Sequence, residues 1–273
     1  MRRESINFAT RYGPWAVVAG ASEGLGAAFA DALAARGMNL LLLARRAELL
    51  EGVAERIRVE HGVKVRPLPI DVADPAFAQI LGDATVDLEI GVLVYNAAFA
   101  PIGNFLDQSQ EDLLRVLDVN IRGPMLFVRT LAPAMWARGR GAVVLMSSLA
   151  GLQGSPRIAT YAASKAFNTI LAEGLWGELR QNGIDVLASC AGAIRTPGYV
   201  ESAAHDHPDA PSATEAPGTL DPREVARQTL AALGRGPVIV PGWVNRIARF
   251  AMGRVLPRRA AVRLMAANTK DLT

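Results

Sequence analysis

One stretch decides the fold of this 273-residue chain: Trp15-Ala-Val-Val-Ala-Gly-Ala-Ser-Glu-Gly-Leu-Gly26. Its apolar start predicts a buried strand, Gly20, Gly24 and Gly26 predict a tight turn, and the alanine-rich continuation predicts a helix. Glycines here let a pyrophosphate approach the helix N-terminus, whose free N–H groups favour an anion. The stretch therefore predicts a dinucleotide-binding unit, and an ordinary helix start is the competing interpretation.

Short apolar runs alternate with helical patterns through most of the chain. The predicted helices cover residues 25–36, 46–60, 75–82, 109–137, 160–181 and 221–233. The predicted strands are Trp15–Ala19, Met38–Ala44, Val63–Ile70, Ile90–Tyr95, Ala142–Met146, Ile184–Cys190 and Val238–Val240. Such alternation is typical of parallel β-α-β units. We predict an α/β fold: a single-domain, Rossmann-like, doubly wound parallel sheet of about seven strands with helices on both faces.

Composition limits the class of protein. Apolar residues make up 51% of the chain, which is enough for one substantial core. Cys190 is the only cysteine, so an intrachain disulfide is excluded, and we expect a cytoplasmic location. Apolar runs such as 40–44 are too short to span a bilayer.

The positive charge is concentrated at the C-terminus. Residues 243–273 carry seven basic side chains and one acid, a net charge of +6, so residues 1–242 sum to −3 for the total of +3. This predicts a dinucleotide-binding domain over 1–242, with a lid at 197–220, and a basic amphipathic helical extension over 243–273. A nucleic-acid partner is not expected.

Tyr161 and Lys165 stand four residues apart in a predicted helix, with Ser148 thirteen residues upstream. Residues i and i+4 share one helix face, so an ammonium beside the phenol should lower the tyrosine pKa toward the range of a general acid or base. Ser148 ends a predicted strand, where parallel sheets place their ligand crevice. Strand alternation and the thirteen-residue interval favour Ser148 over Ser147. Chance occurrence of this spacing is the alternative.

The ends of three further strands carry polar residues suited to a dinucleotide. The second strand is followed by Arg45 and Arg46 rather than a carboxylate, which favours a 2′-phosphate and therefore NADP(H). A solvated helix start is the alternative for these arginines. The third strand closes with Asp71-Val72, suited to the adenine amine, and the fourth with Asn96-Ala97, beside the ribose.

Together these motifs resemble the short-chain dehydrogenase/reductase family in its single-domain form, over about residues 14–240. The resemblance implies that Tyr161 is the acid/base, that Ser148 orients the carbonyl, that Lys165 holds the nicotinamide ribose and that Asn120 supports a proton relay. It also implies contacts from Gly192, Ile194 and Thr196 to the nicotinamide end. The complete predicted cofactor set is Gly20, Ser22, Glu23, Gly24, Leu25, Gly26, Arg45, Arg46, Asp71, Val72, Asn96, Ala97, Tyr161, Lys165, Gly192, Ile194 and Thr196. Ala19, Ala98 and Ala191 depart from the usual pattern of the family, a difference that bears on cofactor affinity.

The predicted activity is NADP(H)-dependent interconversion of a secondary alcohol and a ketone on a hydrophobic small molecule, such as an acyl, steroid or aryl ketone. A non-catalytic, dinucleotide-sensing protein of the same fold is the alternative. His205 and His207 lack a third ligand nearby, so no metal site is predicted.

A homodimer or homotetramer is expected. Three interpretations compete for the basic tail. It covers a subunit interface and the substrate pocket, rests on an anionic membrane surface, or packs on its own domain. The first is favoured over membrane contact, because the apolar stripe is short and alanine-rich.

Overall fold

The computed structural model describes residues 8–196 and 218–269. Seven parallel strands form one sheet in the order β3-β2-β1-β4-β5-β6-β7. The strands are β1 Trp15–Ala19, β2 Asn39–Ala44, β3 Val65–Pro69, β4 Ile90–Tyr95, β5 Gly141–Ser148, β6 Ile184–Ala191 and β7 Val238–Ile239. The predicted doubly wound sheet is confirmed.

Ten α-helices lie within the described residues. They are α1 Phe8–Tyr12, α2 Gly24–Ala34, α3 Ala47–His61, α4 Phe77–Thr85, α5 Gln110–Leu117, α6 Gly123–Arg138, α7 Ala159–Leu179, α8 Pro222–Ala231, α9 Trp243–Phe250 and α10 Arg258–Thr269. The strand β1 shows how they are distributed, because its side chains alternate between two cores. Ala16 and Val18 pack with α2, α3 and α8, whereas Trp15, Val17 and Ala19 pack with α4, α6 and α7.

The strand order reverses between β1 and β4, its neighbour in the sheet. In parallel α/β sheets the ligand crevice forms at such a point, outside the carboxyl ends of the strands. Four adjacent strands end there: β1 before Gly20, β4 before Asn96, β5 at Ser148 and β6 before Gly192. Residues far apart in the sequence are thereby brought to one edge of the sheet.

The single helix predicted over 109–137 is wrong in one respect. A π-helical turn, Asp118–Arg122, separates α5 from α6. The hydroxyl of Tyr95 donates to the carbonyl oxygen of Val119 at 2.6 Å, and a Cβ on Gly123 would collide with that hydroxyl. This contact from β4 takes up a carbonyl group within the turn, and the turn carries Asn120.

The basic tail contains α9 and α10, joined by a π-helical turn at Ala251–Val255. Asn245 of α9 is buried, and Arg258 of α10 donates to the carbonyl oxygen of Leu152 at 2.9 Å. The tail therefore packs on its own domain. Over the described ranges, every helix is too short or too polar to cross a membrane.

Candidate functional site

The glycine turn after β1 is closely packed. Gly20 has φ +78°, and a Cβ there would lie 2.8 Å from the Cα of Ala97. A Cβ on Gly26 would collide with the carbonyl oxygen of Gly20, and Gly24 has φ +54°. Only glycine fits these positions without strain. The backbone is therefore exposed at the start of α2, where N–H groups and the helix dipole favour a phosphate. Leu25 is buried beneath the turn.

Side chains from two elements border this turn. Arg46, which follows β2, donates to the hydroxyl of Ser22 at 3.3 Å and forms an ion pair with Glu23. Arg45 is exposed, and its charge helps to lower the pKa of Asp71. No carboxylate occurs among the first three residues after β2. Two arginines therefore follow β2 at the sequence position where an NAD site usually has a carboxylate.

Asp71 is held by a residue that the sequence analysis missed. Its carboxylate accepts from Arg115 of α5 at 2.6 Å and from the backbone N–H of Ala73 at 3.0 Å. Partial burial opposes ionisation, but these hydrogen bonds and the arginine charges hold the pKa of Asp71 below its usual range. Asp71 is therefore a fixed, ionised acceptor, followed by the buried Val72.

Asn96 and Ala97 lie directly after β4, against the glycine turn. The Asn96 side chain donates to the carbonyl oxygen of Gly20 at 3.1 Å, and its backbone N–H donates to Ala19 at 3.0 Å. Ala97 is the residue that excludes a side chain from Gly20. The pair therefore fixes the shape of the turn.

Asn120 is buried and all its side-chain groups are bonded. The amide oxygen accepts from the N–H of Phe99 at 2.8 Å, and the amide nitrogen donates to the carbonyl oxygen of Phe99 at 2.8 Å and to Ser164 at 3.0 Å. Ser164 in turn donates to the carbonyl oxygen of Tyr161 at 2.7 Å. Asn120 thus ties the loop after β4 to the helix that carries Tyr161 and Lys165.

Ser148, Tyr161 and Lys165 come together at the carboxyl end of β5. Ser148 is the last residue of the strand, and its hydroxyl lies close enough to the Tyr161 phenol on α7 to favour ionisation of that phenol. Lys165 is buried, with its Nζ 5.4 Å from the centre of the Tyr161 ring and 3.0 Å from the carbonyl oxygen of Met146, to which it donates. Ser147 points elsewhere and donates to the carbonyl oxygen of Lys165 at 2.7 Å. The assignment of Ser148 rather than Ser147 to catalysis stays a prediction.

The expected lowering of the tyrosine pKa is wrong in this structure. Burial raises the pKa of Tyr161, and the nearby Ser148 hydroxyl only partly opposes that rise. Burial also lowers the pKa of Lys165 to about 8, because an ammonium loses its hydration there. Tyr161 is thus a protonated donor at neutral pH, and the serine hydroxyl is the group that favours its phenolate.

Gly192, Ile194 and Thr196 follow β6 at the same edge of the sheet. Ile194 pairs with Leu220, and the N–H of Thr196 donates to the carbonyl oxygen of Ile194 at 2.8 Å. A Cβ on Gly192 would lie 2.6 Å from the side-chain oxygen of Asn245. Most of the predicted lid at 197–220, together with His205 and His207, falls at 197–217, outside the described residues.

Three residues that the sequence patterns did not indicate lie in the loop after β5 and in α10. Gln153 and Ser155, in the loop between Ser148 and Tyr161, are buried, and their side-chain polar atoms have no partner in residues 8–196 and 218–269. Met265 of α10 packs on the small buried cluster of Ala150, Ile158 and Ala162, on which Ile102 and Tyr161 also pack. No local sequence pattern indicates that Gln153 and Ser155 are buried or that α10 packs on the domain.

The geometry allows two chemical operations. The glycine turn and the two arginines form a cradle for a phosphorylated dinucleotide, which fits NADP(H). The neighbouring Ser148 and Tyr161 hydroxyls can bind a carbonyl oxygen and transfer a proton to it.

Comparisons with known proteins agree with this geometry. The family model for short chain dehydrogenases matches residues 14–206. The 7β-hydroxysteroid dehydrogenase of Clostridium sardiniense is 34% identical over 241 residues, covering 88% of this chain and 90% of that protein.

Solved structures extend the likeness to the fold. One from a study of 7β-hydroxysteroid dehydrogenase stereoselectivity superposes with a TM-score of 0.87 at 27% identity, covering 95% of this chain and 99% of the other. A short-chain dehydrogenase from Sphingobium yanoikuyae in complex with NADPH has a TM-score of 0.72 at 30% identity, covering 84% and 87%. With its glycine turn, seven-stranded sheet and extensive family match, the chain belongs to the short-chain dehydrogenase family.

Proposed function

We propose that this protein is an NADP(H)-dependent oxidoreductase that interconverts a secondary alcohol and a ketone on a hydrophobic substrate. The observation that carries the proposal is the group at the end of β5, where the Ser148 hydroxyl lies near the Tyr161 phenol and Lys165 lies beside the tyrosine ring. The family supplies the reaction class, and the local chemistry supplies the roles of the residues.

The preference for NADP(H) rests on charge. Gly20, Gly24 and Gly26 leave room for the pyrophosphate, and Arg45 and Arg46 would receive the 2′-phosphate. Asp71, fixed by Arg115, would accept from the adenine amine, and Asn96 and Ala97 would border the adenosine ribose. The NADPH complex of the Sphingobium relative supports the same choice.

In ketone reduction, Ser148 would donate a hydrogen bond to the carbonyl oxygen and hold it beside Tyr161. Bound NADPH would supply the hydride to the carbonyl carbon. Tyr161 would give its proton to the oxygen and become a phenolate, which the Ser148 hydroxyl stabilises. Lys165 would hold the nicotinamide ribose, and Asn120 would support the relay that returns a proton to Tyr161. Oxidation of the alcohol reverses each transfer.

The surroundings of Tyr161 suggest the class of substrate. Ile102 and Met265 pack on the same small buried cluster as Tyr161 and would give the site an apolar wall, which suits a bulky apolar ketone. Gln153 and Ser155 place a buried amide and a hydroxyl in the adjoining loop, where a polar group on the substrate could satisfy them. A hydroxylated polycyclic ketone meets both conditions, and the 7β-hydroxysteroid dehydrogenase relative points the same way.

We further propose that the protein is a homo-oligomer that pairs through α6 and α7. These helices form an apolar groove of about 420 Å³. Its lining includes Met125, Ala132, Trp136, Leu171, Leu175 and Leu179. Exposed apolar faces of this kind mark association surfaces, and a second copy can bury the same face across a two-fold axis.

A ketone panel read by NADPH oxidation tests the function. The panel contains hydroxysteroid ketones, long-chain 3-oxoacyl thioesters and small aryl ketones, and products are identified by mass spectrometry. We expect turnover on at least one bulky apolar ketone and much weaker turnover with NADH. Tight NADPH binding without turnover on any member would favour the dinucleotide-sensing alternative.

A further inference from the structure

Asn245 is a buried polar residue in the first turn of α9, with a side chain only 4% exposed. It lies beyond residue 206, where the match to the family model ends. A buried amide needs partners, since an unsatisfied polar group is costly. Within the described residues its two hydrogen-bond partners are backbone carbonyl groups, one at Gly218 and one at Pro241.

Three glycines surround this amide. A Cβ on Gly192 would lie 2.6 Å from Asn245 Oδ1, and one on Gly218 would lie 2.8 Å from the same atom. A Cβ on Gly242 would lie 3.3 Å from Asn245 Nδ2. Gly218 and Gly242 also have φ of +84° and +81°. The amide thus occupies the space that side chains on these residues would take.

The hydrogen bonds of Asn245 join the segments. Its Nδ2 donates to the carbonyl oxygens of Gly218 and Pro241, each at 3.1 Å. Close by, Leu220 forms backbone hydrogen bonds with residues 193–195, which follow β6. The N–H of Arg195 donates to Leu220 at 3.0 Å, and the N–H of Leu220 donates to Ala193 at 3.0 Å. One side chain from the tail therefore packs against Gly192 and holds the segment that pairs with residues 193–195.

We propose that Asn245 is a positioning residue for the nicotinamide half of the cofactor site. This rests on the proposed NADP(H) function, in which Gly192, Ile194 and Thr196 contact the nicotinamide end. Removal of the amide would leave a space beside Gly192 and two carbonyl groups without their donor, so residues 192–196 would lose their fixed position. The glycine turn, on the other side of the crevice, makes none of these contacts.

Comparing the affinity for the whole cofactor with the affinity for its adenine half distinguishes an effect on the nicotinamide half of the site from an effect on the adenine half. The probes are NADPH and 2′,5′-ADP, which carries only the adenine and 2′-phosphate half. For Asn245→Ala we expect NADPH to bind roughly tenfold or more weakly, since two hydrogen bonds and a packing contact are lost. The dissociation constant of 2′,5′-ADP should stay within about twofold, far below the tenfold that 1.4 kcal/mol would give.

Gln228→Ala is the matched control. The Oε1 of Gln228 accepts from the N–H of Gly242 at 3.0 Å, so it also holds the start of α9, without being one of the side chains closest to Gly192. NADPH binding should be retained in this variant. If Asn245→Ala does not fold, Asn245→Asp keeps the shape and removes the donor, and the same selective loss is expected.

A double-mutant cycle tests the contact itself. Gly192→Ala should lower Tm in the wild type, because its Cβ meets the Asn245 amide, and should lower it much less in Asn245→Ala. Additive changes in Tm, or unchanged NADPH binding in Asn245→Ala and Asn245→Asp, would overturn the inference alone. A wild type that binds neither nucleotide would overturn the proposed function and the inference with it.

Discussion

The fold alters the ionisation of Lys165, one of the predicted catalytic residues. Burial lowers its pKa from 10.5 to about 8. Between these values the unfolded chain binds a proton that the folded chain does not, so the stability contributed by this residue rises with pH across that window. The slope is at most roughly 1.4 kcal/mol per pH unit.

Lys165→Met removes this titration. We expect the free energy of unfolding of the wild type, relative to Lys165→Met, to increase between about pH 7.5 and about pH 9.5. Urea denaturation at both pH values measures the difference, and the comparison cancels the other titrating groups. A difference that stays constant or shrinks with rising pH would contradict a buried lysine of lowered pKa.

Arg45 is expected to govern the choice of cofactor. A carboxylate in its place would repel the 2′-phosphate, and a charge-assisted contact of about 1.5–3 kcal/mol corresponds to roughly 10–150-fold in affinity. Arg45→Asp should therefore reduce or reverse the ratio of NADPH to NADH affinity, measured by fluorescence titration. Arg235→Asp, at an exposed site after α8, is the control and should keep the wild-type ratio. Equal affinity of the wild type for both cofactors would contradict the assignment.

At the scale of residues, strand and helix periodicity predicted which side chains share a face. It did not predict how deeply those side chains are buried or which charges lie next to them. Strand alternation separated Ser148 from Ser147, and helical spacing put Lys165 beside Tyr161. The ion pair between Asp71 and Arg115 joins residues 44 positions apart, and no local pattern reveals it. The direction of the Tyr161 pKa depends on how much water the folded chain excludes, which spacing does not encode.

Among the elements, α10 makes the contact with the clearest consequence for the substrate. Met265 packs on the same small buried cluster as Tyr161, whereas the neighbouring Leu264 is 45% exposed. Met265→Ala should raise the KM for the ketone several-fold and leave NADPH affinity unchanged, because a wall of the substrate site is lost. Leu264→Ala is the matched control in steady-state kinetics. Equal effects of both substitutions would place the substrate elsewhere.

Element types could be predicted because β-strands and helices have different apolar periods, and six predicted helices have observed counterparts. The π-helical turn at Asp118–Arg122 could not be predicted in this way, because it depends on a hydrogen bond from Tyr95 of β4 to the carbonyl oxygen of Val119. The basic tail was predicted to be helical from its spacing. Its packing on the domain depends on tertiary contacts such as those of Asn245 and Arg258.

For the whole molecule, the proposed pairing through α6 and α7 predicts a defined mass in solution. Trp136, on the groove, is 45% exposed, and a carboxylate there would be buried without a partner in an assembled dimer. Trp136→Glu should shift the protein toward the monomer in light scattering coupled to chromatography. Val59→Glu, at an exposed position of α3, should not. An unchanged mass for Trp136→Glu would remove this face from consideration.

The topology of the molecule followed from the alternation of strands and helices, because parallel strands need helical crossovers and the crossovers share one hand. The sheet edge that gathers Gly20, Asn96, Ser148 and Gly192 follows from that topology. Quaternary structure has no comparable local rule, since it depends on which apolar residues remain outside after folding.

Turnover of Tyr161→Phe is the most direct test of the central claim, that Tyr161 transfers the proton. The substitution removes one hydroxyl, so the Tm and the NADPH affinity should stay close to wild type, while the rate of ketone reduction should fall by roughly 10²–10⁴-fold. Tyr12→Phe is the control. It removes a hydroxyl on α1 that donates a hydrogen bond to Asp185 at 2.8 Å, and this variant should retain activity. A folded Tyr161→Phe enzyme with more than about half the wild-type turnover would contradict a role in which general acid catalysis supplies at least about 10² in rate.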